Sequence, residues 1–392
     1  MNEVYIVSVA RTPIGSFNGK ISTVDVLDLG KTAITAALKR ANINGNQVDE
    51  VFMGNVLTAN VGQAPAKQVA LKSGIAPTTP CTTINKVCAS GLKAVMLAAQ
   101  AIRLGDADIA VAGGMESMSG SPFYLPKQRT GIKYGNGEII DAIVRDGLQD
   151  PYKGYMMGNT AEICAKKYEF SREDQDAYAI SSYKRAEEAY SKGYFNDELV
   201  AVEVPQRRGE PVVVSEDEEY KNIRYEKVAS LRPAFEKEGT VTAVNASKIN
   251  DGAAAFVLAS KAKVDELGLQ PIAKIIGYAD ASQEPDWFTT TPSLAIPKAL
   301  AKAGLTVQDV DFFEINEAFS VVALANMKDL NISHDKVNVF GGAVSLGHPI
   351  GASGARILAT LTSVLKHKNG KIGVAGICNG GGGASAVVIE KI

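Results

Sequence analysis

Four residues in glycine-rich or small-residue settings carry the candidate chemistry of this chain: Cys88, Asn316, His348 and Cys378. Cys88 stands in NKVCASGLKA, directly before an apolar helical stretch. A helix N-terminus offers partial positive charge and free N–H groups, which predicts a lowered thiol pKa and a thiolate. A thiolate suits acyl transfer from a thioester, because the new thioester stays activated. Packing in the core is the plainer fate for such a cysteine. His348 lies in GGAVSLGHPIGASGA, where glycines leave its ring little cover and a helix is predicted from near Ser353. A neutral imidazole there could take the Cys88 proton. His334 and His367 sit in polar stretches and read as surface residues. Cys378 ends an apolar run and enters Asn379-Gly380-Gly381-Gly382-Gly383. Backbone amides in such a loop can hold an oxyanion, and a thiol at its mouth can move protons to and from carbon. Asn316, in EINEAFS, could hold a water or simply cap a helix. These residues support cysteine chemistry; a papain-like protease, a glutamine amidotransferase and an acyltransferase all remain open.

Separated segments of the chain repeat one another. Cys88-Ala89-Ser90-Gly91 aligns with Gly351-Ala352-Ser353-Gly354, and at the same offset DIAVA (Asp108 to Ala112) aligns with KIGVA (Lys371 to Ala375). Leu38 to Asn55 likewise matches Leu300 to Glu317. A duplicated fold brings equivalent loops together across a pseudo-twofold axis, so the four candidates can converge on one pocket. Short β-branched runs alternate with apolar helical stretches, which predicts an α/β architecture. Strands are expected at Val4–Val9, Glu50–Gly54, Ile109–Gly113, Ala273–Tyr278, Phe312–Ile315, Lys371–Ile377 and Ala386–Glu390. Helices are expected at Val26–Arg40, Ala64–Ser73, Gly91–Leu104, Ser293–Ala303, Ala318–Leu330 and Ser353–His367. Residues 1–118 with 249–270 would form one core half and 271–392 the other. Residues 119–248 change in composition and read as an inserted loop domain, with a helix opened by a capping box at Ser171.

Composition narrows the remaining functions. The 392 residues are 46% hydrophobic and 21% charged, with a formal net charge of −2, so bulk charge favours neither nucleic acid nor an anionic membrane. Cys81, Cys88, Cys164 and Cys378 show no paired spacing and predict free thiols in a reducing compartment. No apolar run of about twenty residues stands out as a membrane span. The start reads as a strand, not a leader, giving a cytoplasmic expectation, with the mitochondrial matrix after leader removal as the alternative.

ARTPIGSF, NKVCASGLKA, AGGMESMS, NASKINDGAAA, NEAFS, GGAVSLGHPIGASGAR and CNGGGGASA together resemble the thiolase family, in particular its biosynthetic acetyl-CoA C-acetyltransferases, over essentially the whole length. The resemblance implies a duplicated five-layered α/β/α/β/α core with the inserted domain over the active site. It implies ping-pong condensation of two acetyl-CoA to acetoacetyl-CoA and CoA, without a prosthetic group. Cys88 would carry the acetyl group, His348 would accept its proton, and Cys378 would exchange the carbon-bound proton. His348 with a water held by Asn316 would stabilise the enolate, and the N–H groups of Cys88 and Gly380 would meet the acyl-enzyme oxyanion. CoA would meet Tyr183, Asn222, Ile223, Arg224, Lys227 and Ser247, and the acyl pocket would include Met157 and Phe288. Met156 departs from the bacterial members, which carry His there. Phe288 is similar to potassium-responsive members, whose K+ site maps onto Tyr183, Ala243, Val244, Ala246 and Val344. The resemblance also implies a homo-oligomer, a tetramer, with contacts around residues 119–143. A degradative 3-ketoacyl-CoA thiolase is the runner-up.

Overall fold

The computed structural model describes residues 2–392. Its strands are β1 (Val4–Arg11), β2 (Glu50–Gly54), β3 (Cys81–Ile84), β4 (Ile109–Ser117), β5 (Asn250–Ser260), β6 (Ala273–Ser282), β7 (Phe312–Ile315), β8 (Ile372–Asn379) and β9 (Gly383–Lys391). Its helices are α1 (Val26–Ala41), α2 (Pro65–Lys72), α3 (Ser90–Leu104), α4 (Met157–Tyr168), α5 (Arg172–Ser191), α6 (Lys261–Leu267), α7 (Pro292–Lys302), α8 (Ser320–Leu330), α9 (Ala343–Leu346) and α10 (Ile350–His367). The strands follow the order β7-β8-β9-β6-β1-β5-β4-β2-β3. The halves meet where β1 and β6 pair antiparallel, Val4 opposite Ile275. On either side the pattern repeats: β5 and β9 pair antiparallel with β4 and β8, which in turn pair parallel with β2 and β7.

Side-chain alternation builds the layers. Val7, Val51, Val111 and Val257 face α1 and α2 on one outer side. Ile6, Phe52, Ala112 and Phe256 face the opposite way, onto α3 and α10, which Ile377 and Val387 cover from the other half. Phe313, Val374 and Val388 turn outward to α7 and α8. The result is five layers, with α3 and α10 buried between the two half-sheets. One apolar window, Val87–Leu104, is long enough to cross a membrane after all, but it is this central-layer helix.

The expected elements formed, with boundaries shifted at several ends. The capping box at Ser171 is present: its Oγ accepts from Asp174 N–H at 3.0 Å and Asp174 accepts from Ser171 N–H at 2.9 Å. Strands β3 and β5 and helices α4, α6 and α9 were not anticipated. Residues 119–248 carry α4, α5 and two short hairpins, and are anchored to β1 by buried charges. Arg11 donates to Glu198 at 2.5 Å and to both Asp217 oxygens at 2.8 and 3.0 Å, all without exposure to solvent. Such a network contributes little net stability but fixes where the insertion sits.

Candidate active site

Cys88 occupies a tight turn between β3 and α3. Val87 holds φ at +47°, a left-handed conformation that costs a β-branched residue about 1–3 kcal/mol. Its neighbours over-determine the turn. Ser90 Oγ donates to Val87 O at 2.6 Å and accepts from Lys86 N–H at 2.8 Å. Lys86 Nζ reaches Asp280 at 2.6 Å and Ser385 at 2.8 Å, in the other half. The Cys88 residue keeps some accessible surface, yet burial pushes its thiol up to about 12; the N–H groups of Gly380 and Cys88 only partly oppose this. The expected lowering by the helix terminus is therefore overturned. Desolvation penalises the thiolate more than these amides favour it.

The second copy of the turn carries His348. Gly347, at φ +114°, leads into it, and a Cβ there would lie 2.7 Å from the Asn250 side chain. Helix α10 begins at Ile350, earlier than the expected Ser353. His348 N–H donates to Asn250 Oδ1 at 2.7 Å, and His348 Nδ1 lies 2.5 Å from Ser353 Oγ. Ser353 gives its one hydroxyl proton to Pro349 O at 2.8 Å, so it accepts from Nδ1–H. That assigns the lone pair to Nε2, which is buried and has no partner among the described residues. Burial, with the Arg356 charge second, lowers the ring's pKa to about 3. Burial thus favours the neutral thiol at Cys88 and the neutral imidazole at His348.

Cys378 is the last residue but one of β8, beside the hairpin into β9, and is paired with Ala384. Gly381 and Gly382 make the hairpin turn at φ +84° and +86°. A Cβ on Gly382 would sit 2.1 Å from Gln283 O, so the backbone passes where only glycine fits. A Cβ on Gly380 would lie 3.6 Å from Met157 Sδ and 3.8 Å from Val87, so this hairpin reaches the Cys88 turn. Burial, and next the charge of a Cys88 thiolate, hold the Cys378 thiol well above its ordinary value. Asn316 is not a helix cap, because α8 begins at Ser320 after Phe319. Its N–H donates to Gly376 O at 2.9 Å, while its buried side-chain oxygen and nitrogen have no partner among the described residues. Such a pair of polar atoms is fitted to a water or a ligand.

A largely apolar pocket of about 560 Å³ opens beside these groups. Met157, Asn222, Ala243, Ala246, Ser247 and His348 line it, as do Lys248 and Phe319. Cys88, Cys378, Asn316 and Gly380 lie beyond that lining. Phe288, expected in the acyl pocket, is buried in one apolar cluster with Cys378 and Phe319 and lies outside the pocket lining. Tyr183 is buried, and Ile223 packs in the same cluster. Arg224 and Lys227 are exposed. Val244 and Val344 are buried and also lie outside the lining.

Residues 4–262 match the thiolase N-terminal domain and residues 269–391 the thiolase C-terminal domain. The chain belongs to the thiolase family. Among thiolases it is 57% identical over 391 residues to an acetyl-CoA acetyltransferase of Schizosaccharomyces pombe, covering 100% of this chain and 99% of that one. It is 57% identical over 392 residues to acetyl-CoA acetyltransferase 2 of Arabidopsis thaliana, covering 100% and 97%. The crystal structure of Acat5 thiolase from Ascaris suum in complex with coenzyme A superposes with a TM-score of 0.95 at 49% identity, covering both chains fully.

Several residues that shape this thiolase site went unremarked in the sequence. Glu116, at the end of β4, accepts from Asn55 Nδ2 at 2.7 Å, Val56 N–H and Leu57 N–H at 3.1 Å, and Gly351 N–H at 2.8 Å. It ties the His348 turn to the first half, and burial pushes its carboxyl up to about 7. Glu317 does the matching work in the second half, accepting from Tyr178 and Ser182 at 2.8 Å and from Val344 N–H at 3.0 Å. The duplicated Ser90 and Ser353 were visible as a repeat, but their bonds to Lys86 and His348 were not.

Proposed function

We propose that this thiolase is an acetyl-CoA C-acetyltransferase that joins two acetyl-CoA into acetoacetyl-CoA and CoA, reversibly, through an acetyl-Cys88 intermediate. Cys88 sulfur attacks the thioester carbonyl while its proton passes to His348 Nε2 and on to the departing CoA sulfur. Coupling proton transfer to attack suits two groups whose burial disfavours separate charges. The N–H groups of Cys88 and Gly380 are the donors for the carbonyl oxygen as it becomes an oxyanion. Cys378, once its thiol has released its own proton to solvent, then takes a methyl proton from a second acetyl-CoA as the thiolate. The enolate attacks the acetyl carbonyl, Cys88 sulfur leaves, and the proton on Cys378 passes to it. A water on Asn316 donates to the enolate oxygen, and His348 adds a second donor there only when Nε2 carries a proton. In the cleavage direction Cys378 acts as a thiol and protonates the enolate, the state its burial favours.

The observation that carries this reading is the meeting of the two half-domain loops at one sulfur: Gly380 N–H, from the second half, bears on Cys88 of the first. Asn222, Ser247 and Met157 line the pocket assigned to pantetheine, with Arg224 and Lys227 on the adjoining exposed segment for the CoA phosphates. We assign a homotetramer as the working form. Phe123, Leu125, Ile132, Tyr134 and Ile139 expose apolar surface along one segment, which supports an interface there. The deciding assay is CoA-dependent cleavage of acetoacetyl-CoA beside a long-chain 3-ketoacyl-CoA. Faster turnover of the short substrate is expected. Faster turnover of the long one would instead assign a degradative enzyme.

A further inference from the structure

Lys248 is a half-buried charge without a part in the chemistry above. It lies in the loop that leads into β5 and lines the pocket between Ser247 and Ile249. Its Nζ donates to Ala246 O at 2.8 Å and to Val344 O at 3.2 Å. The Tyr183 ring faces the same ammonium, 5.6 Å from Nζ to the ring centre. These contacts join two pieces of backbone that matter to the site. Ala246 belongs to the pocket wall with Ala243 and Ser247, and Val344 lies in α9, the short helix that leads to His348.

Tyr183, Ala246 and Val344 are also three of the positions onto which the family resemblance maps a K+ ion. That mapping does not fit this chain. Both named carbonyls already accept from an ammonium, a K+ ion would have to displace it, and two cations at that spacing repel strongly in a buried site. Glu219 and Glu317 supply the negative surroundings that hold the lysine charge, while burial draws its pKa down to about 8. Glu317 is itself bonded to Val344 N–H at 3.0 Å, so the carboxylate and the ammonium grip the same turn of α9 from both sides.

We propose that Lys248 is a tethered monovalent cation, a positioning residue that clamps the pocket wall to the His348 segment and makes the enzyme independent of K+. The inference rests on the acetyl-CoA acetyltransferase reading only for its activity readout. The lysine makes the cation a permanent part of the chain: it cannot dissociate when the ionic composition changes, and its reach is set by Lys248's own stem.

The test compares wild type, Lys248→Ala and Lys248→Met in choline, sodium, potassium and ammonium chloride at one ionic strength. Wild type should change less than about twofold in kcat/KM among these salts and show no K+-specific rise in melting temperature. Lys248→Ala should raise KM for acetoacetyl-CoA roughly tenfold, the scale of losing hydrogen bonds from a charged donor, with a smaller change in kcat. K+ and ammonium, but not choline, should restore part of that loss and raise the variant's melting temperature. Lys248→Met fills the space without charge and should show the KM defect without rescue. K+-specific activation or stabilisation of wild type would overturn the proposal, as would a Lys248→Ala enzyme with unchanged KM. The melting shifts need no substrate, so a failed activity assignment would leave the cation test standing.

Discussion

Replacing Ser353 with alanine isolates the bond that would make His348 a base in the proposed mechanism. Ser353 Oγ is the acceptor for Nδ1–H, at 2.5 Å, and its own proton is committed to Pro349 O. Both side chains are buried, so water does not readily replace the missing acceptor. An unsatisfied buried N–H costs about 1–3 kcal/mol. The ring can escape that cost by moving its proton to Nε2, which removes the lone pair that should receive the Cys88 proton. If about 1.5–3 kcal/mol of preference for the productive tautomer is lost, acetylation slows roughly 10- to 100-fold. The assay is a single turnover with acetyl-CoA, following acetyl-enzyme by intact mass and release of CoA thiol by a colorimetric disulfide. The expected result is a slower acetylation step with little change in the acetyl-CoA concentration that half-saturates it. A folded Ser353→Ala enzyme acetylated at the wild-type rate would show that this bond does not set the tautomer.

Glu116→Gln should destabilise the fold by about 1–3 kcal/mol, since an amide presents N–H groups to some of the donors that the carboxylate now satisfies; urea unfolding at neutral pH measures it, and an unchanged midpoint would contradict the assigned network. Because the His348 ring is held near 3 instead of 6.5, the folded state resists protonation that the unfolded chain accepts. Its contribution to stability is complete above about pH 6.5 and is lost as pH falls toward 3, so the gap in melting temperature between wild type and His348→Asn should narrow or reverse across that window. A gap independent of pH would argue that the ring is not buried neutral. Gly347→Ala should slow acetylation and lower the melting temperature, because a φ of +114° and a Cβ 2.7 Å from Asn250 both disfavour a side chain; wild-type values for both would show that the turn relaxes freely.

The duplication, the layer class and the four candidate residues were legible because each left a local mark. Ala-Ser-Gly before an apolar helix and a glycine run after an apolar strand both survive as short patterns. Strand β5 was hidden because NDGAAAFVLAS mixes small residues with only three large apolar ones and is buried along its length, leaving no alternation to read. Helix α4 was hidden because its start, Met-Gly-Asn-Thr, lacks a polar cap before the first turn. The partners that tune the site lie far along the chain. Asn250 meets His348 and Glu116 meets Gly351 only after the two halves pack. The thiol pKa was misjudged for the same reason: the sequence displays the helix terminus but not the burial that outweighs it.

Cys378→Ala bears most directly on a division of labour between two sulfurs. Incubated with radiolabelled acetyl-CoA, the variant should accumulate acetyl on Cys88, mapped by peptide mass, and form acetoacetyl-CoA at least a hundredfold more slowly than wild type on adding more acetyl-CoA, the loss expected when a proton-transfer group is removed. Wild-type condensation in that variant, or label on any residue other than Cys88, would contradict the account.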